Sequence, residues 1–164
     1  MKTKLILLFT LVTFITCGQS SPAEKVVGTI DGVNITIEYG SPRAKGRTIY
    51  GDLVPYGDVW RAGANKNTTI EFSTDVKIEG QALAKGKYGF FIIPEESGTW
   101  TAIFSKKNDA WGHFSYNISD DALRINVDTS YLKEAKENLA YKIKKNVIKF
   151  EWADESFNMK VSSR

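Results

Sequence analysis

Between Gly40 and Thr68 the chain gathers its most chemically pointed residues. Arg43, Lys45, Arg47, Arg61 and Lys66 face only two acids, Asp52 and Asp58, with Tyr56 and Trp60 among them. Guanidinium forks grip oxyanions, and aromatic faces stack on sugars, so this set suits a carboxylate, a phosphate or a glycan. Ser41 precedes Pro42 and is biased to extended backbone. If the extension continues, Arg43, Lys45 and Arg47 share one side, about 6.5 to 7 Å apart. Like charges so placed repel, and need acids opposite, an anionic ligand or open water. Val54-Pro55-Tyr56-Gly57 is a turn that presents Tyr56, and Asn65 tolerates left-handed backbone or caps a turn. Two roles are open to the segment. It folds over the end of the domain, with Leu53, Val54 and Trp60 plugging the core and its arginines bridging to Asp52, Asp58, Glu38 or carbonyls. Or Arg43, Arg47 and Arg61, with Tyr56 and Trp60, line a concave pocket. The two roles are compatible.

Other chemistries have thinner support. His113, in "WGHFSY", is the only histidine and so the default acid/base candidate. A lone strand histidine is more often a surface or hydrogen-bonded residue. Glu38, Glu71, Glu79 and Glu151 sit in strand-like stretches and could form a glycosidase-type carboxylate pair, although alternation puts all four on polar faces. No Gly-x-Ser-x-Gly elbow occurs, and "GSPRAKGR" lacks the glycine spacing of a phosphate loop. With one histidine and no acidic cluster beyond Asp120-Asp121, which reads as a turn, neither a metal nor a cofactor is implied.

The first 16 residues read as an export signal. Lys2 and Lys4 precede an apolar run from Leu5 to Ile15, too short for a permanent span, which ends at Cys17. Cys17 is the only cysteine, and its position resembles the lipidation site of bacterial lipoproteins. A membrane anchor on Cys17, a tether over 17–25 and one domain over 26–164 are therefore expected, in the periplasm or on the outer envelope, the alternative being a plain secretory signal cut near Ser20 or Ser21. Processing removes two lysines, leaving 20 basic against 19 acidic residues, so no global basic field points to nucleic acid.

The elements that must position these residues are strands. "VNITIEY" alternates Val33, Ile35, Ile37 and Tyr39 with polar residues, and "TIEFS" and "DVKIEG" follow suit. "YGFFIIP" is apolar on both faces, hence central, and ends at Pro94. "WTAIFS", "HFSYNI" and "ALRINV" come next. Then "NLAYKI", "VIKFEW" and "FNMKVS" read as three strands, the last two parted by a turn at Asp154-Glu155. Leu132, Ala135 and Leu139 fit one or two helical turns from Tyr131 to about Glu137. Trp100 and Trp111 read as exposed, Trp111 being the better pocket wall because it emerges from a turn. The pattern predicts an all-β antiparallel sandwich or flattened barrel of about nine to ten strands, with one long irregular loop. A loop this long is uncommon and usually either functional or disordered, and its aromatic and aliphatic content argues against disorder.

The string "SPRAKGRTIYGDLVPYGDVWRAGAN", followed by "WTAIFSK" and "DALRINV", resembles the domain-of-unknown-function 2911 family of exported bacterial proteins. The resemblance implies a compact, mainly β envelope domain and no assigned activity. His113 departs from the pattern, standing where a small polar residue is expected, which argues against a catalytic role. The expected function is non-catalytic binding of an anionic or glycan-type ligand, or of a protein partner, through Arg43, Lys45, Arg47, Tyr56, Trp60, Arg61 and Asn65. The alternative is an envelope hydrolase using His113 or a strand glutamate.

Overall fold

Alternation gives each strand one face to bury, and the chain satisfies those faces against one another. The computed structural model describes residues 21–164 except His113 and Ser115, so the signal, Cys17 and His113 lie outside the described residues. Strands run as β1 (Ala23–Ile30), β2 (Val33–Gly40), β3 (Thr69–Phe72), β4 (Val76–Ile78) and β5 (Gln81–Leu83). They continue as β6 (Gly86–Ile93), β7 (Thr99–Ser105), β8 (Asp121–Lys144) and β9 (Val147–Ser163). A 3₁₀ turn at Ile118–Asp120 precedes β8. The order across the sheet is β1-β2-β3-β6-β7-β8-β9-β4-β5, every pair antiparallel and the sheet open. Among the described residues there is no α-helix.

The expected all-β fold of about nine strands is therefore what the chain adopts, and β6 is the buried interior strand that its two apolar faces demand. The sheet curls until β1 lies over β8, so closely that a Cβ on Gly28 would meet Ile143 at 2.8 Å. Between the walls lie Trp100, Trp152, Phe72, Phe90, Phe104, Phe150 and Phe157, all fully buried. Phe150 and Phe157 stack with centroids 4.8 Å apart.

Several local expectations need correction. The helical turns at 131–137 do not form. Of Leu132, Ala135 and Leu139 only Leu139 is buried, so a helix there would have had no apolar surface to cover. The backbone instead stays in β8 and meets the long loop through Arg43 opposite Asn138, with register irregularities on the β9 side at Lys136. Two of the three closing strands are one, because β9 runs through Asp154-Glu155. Its inward residues shift from Ile148/Phe150/Trp152 to Phe157/Met159/Val161 across Ala153, a left-handed residue (φ 50°) that pairs with Lys136 where β8 carries extra residues on either side. "HFSYNI" is not a strand: Tyr116 folds its ring onto Phe91, centroids 5.1 Å apart, and Ile118 opens the 3₁₀ turn. Ala23 to Lys25, assigned to the tether, pair with β2, and the hairpin strand β5 was not foreseen. Trp100 is core rather than surface, whereas Trp111 is exposed.

Candidate functional site

The segment from Ser41 to Thr68 has no extended strand, yet its backbone is held at both ends and in the middle. The Ser41 hydroxyl donates to the Leu139 carbonyl at 2.7 Å, and the Ala44 N–H donates to the Glu137 carbonyl at 2.7 Å. Trp60 pairs with Ile92 through two backbone hydrogen bonds of 2.8 Å each, extending the β3 side of the sheet by one residue. The carbonyl of Ala62 accepts from the hydroxyls of Tyr141 at 2.8 Å and Thr68 at 3.1 Å. Ile49, Tyr50, Val54 and Trp60 are buried, and Tyr50 packs on Trp100 with centroids 4.6 Å apart. Leu53, expected among the plugging residues, is instead 45% exposed. Gly40 is required at the segment's start, since a Cβ there would overlap the carbonyl of Ala64.

The seven residues singled out from the sequence do not share one place. Arg43, Lys45 and Arg47 are exposed and surround a groove of about 360 Å³ with Ser21, Pro22 and Pro42. They do not lie along one extended side: Lys45 and Gly46 are left-handed, with φ of 53° and 67°, and the chain turns there. The turn follows from capture of the Lys45 N–H by the Glu137 carboxylate at 3.1 and 3.3 Å. Arg47 folds back, donating from Nε to the Ala44 carbonyl at 3.0 Å and from Nη2 to the Arg43 carbonyl at 2.7 Å. Tyr56 is 41% exposed and forms part of a second, larger concavity. Trp60 is core, its indole Nε1 donating to Gly63 at 3.2 Å. Asn65 adopts left-handed backbone, φ 63°, and its amide donates to the Ser21 carbonyl at 3.0 Å.

Arg61 stands apart from the others. Trp60 turns inward, so the next side chain turns outward, near Gly112 on the opposite face. It is half-buried, its Nε has no hydrogen-bond partner, and burial alone pushes its guanidinium down. Among the described residues no ion pair joins Arg43, Arg47 or Arg61 to Asp52, Asp58 or Glu38; Glu38 is bound by Lys87 at 2.7 Å and Lys25 at 3.2 Å. The three arginines do not converge.

The larger concavity, about 470 Å³, opens between the 44–56 stretch and the bulged arm of β8 and β9. Tyr50, Tyr56 and Tyr131 wall it; Arg47 and Lys136 contribute cations and Glu137, Asp154 and Glu155 acids. Glu155 is 8% exposed, and its Oε2 has no hydrogen-bond partner. Burial pushes its carboxyl up, the Thr129 hydroxyl opposes this and the Asp154 charge adds to it. Burial likewise raises the Tyr56 phenol, with Tyr131 and Glu155 next in effect. Tyr131 and Glu155 are not among the residues the sequence singles out, because local spacing fits helical turns from Tyr131 and a turn at Asp154-Glu155. The parity change between Trp152 and Phe157 was the available signal that a bulge re-aims the residues between them.

The four strand glutamates considered for catalysis do not line this cleft. Glu38 is ion-paired as described, Glu71 is exposed, and Glu79 lies in a turn (φ 47°) accepting the Lys160 N–H at 2.5 Å. Glu151 is not on a solvated face: it is buried, bridged by Lys142 and, at 2.5 Å, by Lys149. Among the described residues no group of three or more His, Cys, Asp or Glu could hold a metal ion.

These features define an all-β domain with an ordered cap and an aromatic cleft. The chain belongs to the family described as protein of unknown function (DUF2911), whose model matches residues 21–161. No curated protein and no solved structure matches it.

Proposed function

We propose that this chain is an exported, lipid-anchored envelope protein that binds a glycan-type ligand, without catalysis, in the cleft between the long loop and the β8–β9 arm. The observation that carries this reading is the pairing of tyrosine walls with the acidic residues Asp154 and Glu155. Sugar rings offer apolar faces to aromatic side chains and hydroxyls to carboxyl oxygens, and the acidic residues Asp154 and Glu155 line the cleft beside the tyrosines. Three acids against two cations line the cleft, so Coulomb repulsion disfavours an anionic ligand there. Of the residues expected to bind, Arg47 and Tyr56 belong to this site.

Calorimetric titration with soluble N-acetylglucosamine oligomers and envelope polysaccharide fragments tests it. Saturable binding is expected, weakened about threefold to tenfold by Tyr56→Ala or Tyr131→Ala, as loss of an aromatic contact implies. Absence of binding to every glycan, or binding indifferent to both substitutions, overturns it. The anchor is read separately: Cys17→Ser should release the protein from cell membranes after a high-salt wash.

The raised Glu155 carboxyl favours a second reading, an envelope glycosidase with Glu155 as proton donor. Glycoside hydrolysis needs a second carboxylate across the substrate. Asp154 is its neighbour on the same strand, and Glu137 is engaged by Lys45, so binding without turnover is the stronger reading. Release of reducing sugar from these glycans, abolished by Glu155→Gln, would reverse that order.

A further inference from the structure

The groove ringed by Arg43, Lys45 and Arg47 shares only Arg47 with the tyrosine cleft, and its lining is cationic where the cleft's is aromatic and acidic. Its three cations carry no ionic partner among the described residues, and the one acid that reaches them, Glu137, spends its carboxylate on the Lys45 backbone N–H. Arg47 commits Nε and Nη2 to two backbone carbonyls, which fixes its plane and leaves Nη1 without a protein acceptor. A guanidinium so fixed is organised for a phosphate rather than for water.

The position of the chain's exit gives the groove its partner. Ser21 and Pro22 form one rim, and both are clamped: the Pro22 carbonyl accepts the Ser41 N–H at 2.8 Å, and the Ser21 carbonyl accepts the Asn65 amide at 3.0 Å. Cys17 is four residues before Ser21. A fully extended chain covers at most about 3.6 Å per residue, so Cys17 lies within about 14 Å of the groove's rim. If Cys17 is acylated, the lipid headgroups lie within that distance, where arginine and lysine side chains can reach across much of the gap. Charges held so close, against a screening length of about 8 Å, act on those phosphates.

We propose that the Arg43–Lys45–Arg47 groove docks on the phosphates of anionic lipid headgroups, turning a tethered domain into one held with this face toward the membrane. The orientation rests on the reading that Cys17 carries the anchor; the contact itself can be measured without it. The probe is the chain from residue 17 with Cys17→Ser, which has no acyl group and keeps every described element, sedimented with vesicles of phosphatidylcholine alone or with 30% phosphatidylglycerol (roughly the anionic fraction that supports a surface potential). Binding is expected only to the anionic vesicles and is expected to weaken with salt. Each cation near an anionic surface contributes about fivefold, so Arg43→Gln with Lys45→Gln should lower partition roughly 25-fold. Lys144→Gln with Lys145→Gln, the same charge change at the far turn of the β8–β9 hairpin, should leave it within twofold. Equal binding to both vesicles, or equal loss in both double variants, overturns the groove. So does displacement by inorganic phosphate at matched ionic strength, which would mark a site for free phosphate. Retention of Cys17→Ser protein on washed cell membranes overturns the anchor instead, so the two failures are distinguishable.

Discussion

Trp60 lies against Trp152 with ring centroids 5.6 Å apart and planes only 24° from parallel, joining the middle of the long loop to β9 just before its left-handed residue Ala153. The same indole meets Phe150 edge-on at 6.3 Å. The segment that carries the loop's cations is thus fastened by a core residue, and the loop's shape depends on that contact. Trp60→Ala should cost about 3 to 5 kcal/mol, the range for removing a large buried aromatic. Urea unfolding measures it; a loss under about 1 kcal/mol would show that the cap does not share the core.

Gly40 and Gly46 separate two uses of glycine within six residues. A side chain at 40 would enter the carbonyl of Ala64, whose N–H donates to the Gly40 carbonyl at 3.1 Å, so neither the end of β2 nor the loop at Ala64 can move away without breaking that bond. At 46 there is open space, but φ is 67°. Gly40→Ala should cost about 3 kcal/mol through overpacking, and Gly46→Ala about 1 kcal/mol through left-handed strain alone. Equal melting-temperature losses in the two variants would show that the backbone approach at 40 is not what demands glycine.

Period-two alternation was enough to place β2, β3, β6 and β7, because their partners impose nothing that local pattern does not already show. It failed where long-range pairing decides. Residues 131–137 stay extended because Pro42 and Ala44, more than 90 positions away, bond the carbonyls and amides of Glu137 and Leu139. No local window contains that information. The outward direction of Arg61 was legible, since a buried Trp60 forces its neighbour to the other face, but the grouping by charge obscured it. Glu155 was hidden differently: acid-rich "ADES" reads as a turn unless the parity of the flanking apolar residues is compared across it.

Arg61 contributes neither to the cleft nor to the groove, and its half-buried guanidinium has no ionic partner among the described residues. A partly desolvated charge without compensation is a cost that an apolar chain of similar length removes. Arg61→Met should leave stability unchanged or raise it by about 1 kcal/mol, with glycan affinity within twofold of the parent. Calorimetric melting and titration read both quantities, and a marked fall in either would assign Arg61 a partner outside the two concavities.

Glu151 and Glu155 stand on the same strand, both buried, and titrate in opposite directions. Burial pushes each up, but at Glu151 the bonds from Lys142 and Lys149 outweigh it and hold the carboxyl below its ordinary value of 4.5. At Glu155 no cation answers, and the value stays above 4.5. A lowered carboxyl binds fewer protons folded than unfolded, so its stabilisation is present above pH 4.5 and is lost as pH falls through the folded value. A raised one binds more protons folded, so stability declines as pH climbs from 4.5 through its folded value. Glu151→Gln should therefore destabilise at neutral pH, with the deficit shrinking in acid. Glu155→Gln should stabilise at neutral pH, with the gain vanishing below about pH 4.5, where the parent carboxyl is protonated in both states. Urea unfolding of the parent and both variants from pH 3.5 to 8 separates the two curves. A neutral-pH loss for Glu155→Gln would mean that its carboxylate has a stabilising partner in the folded state.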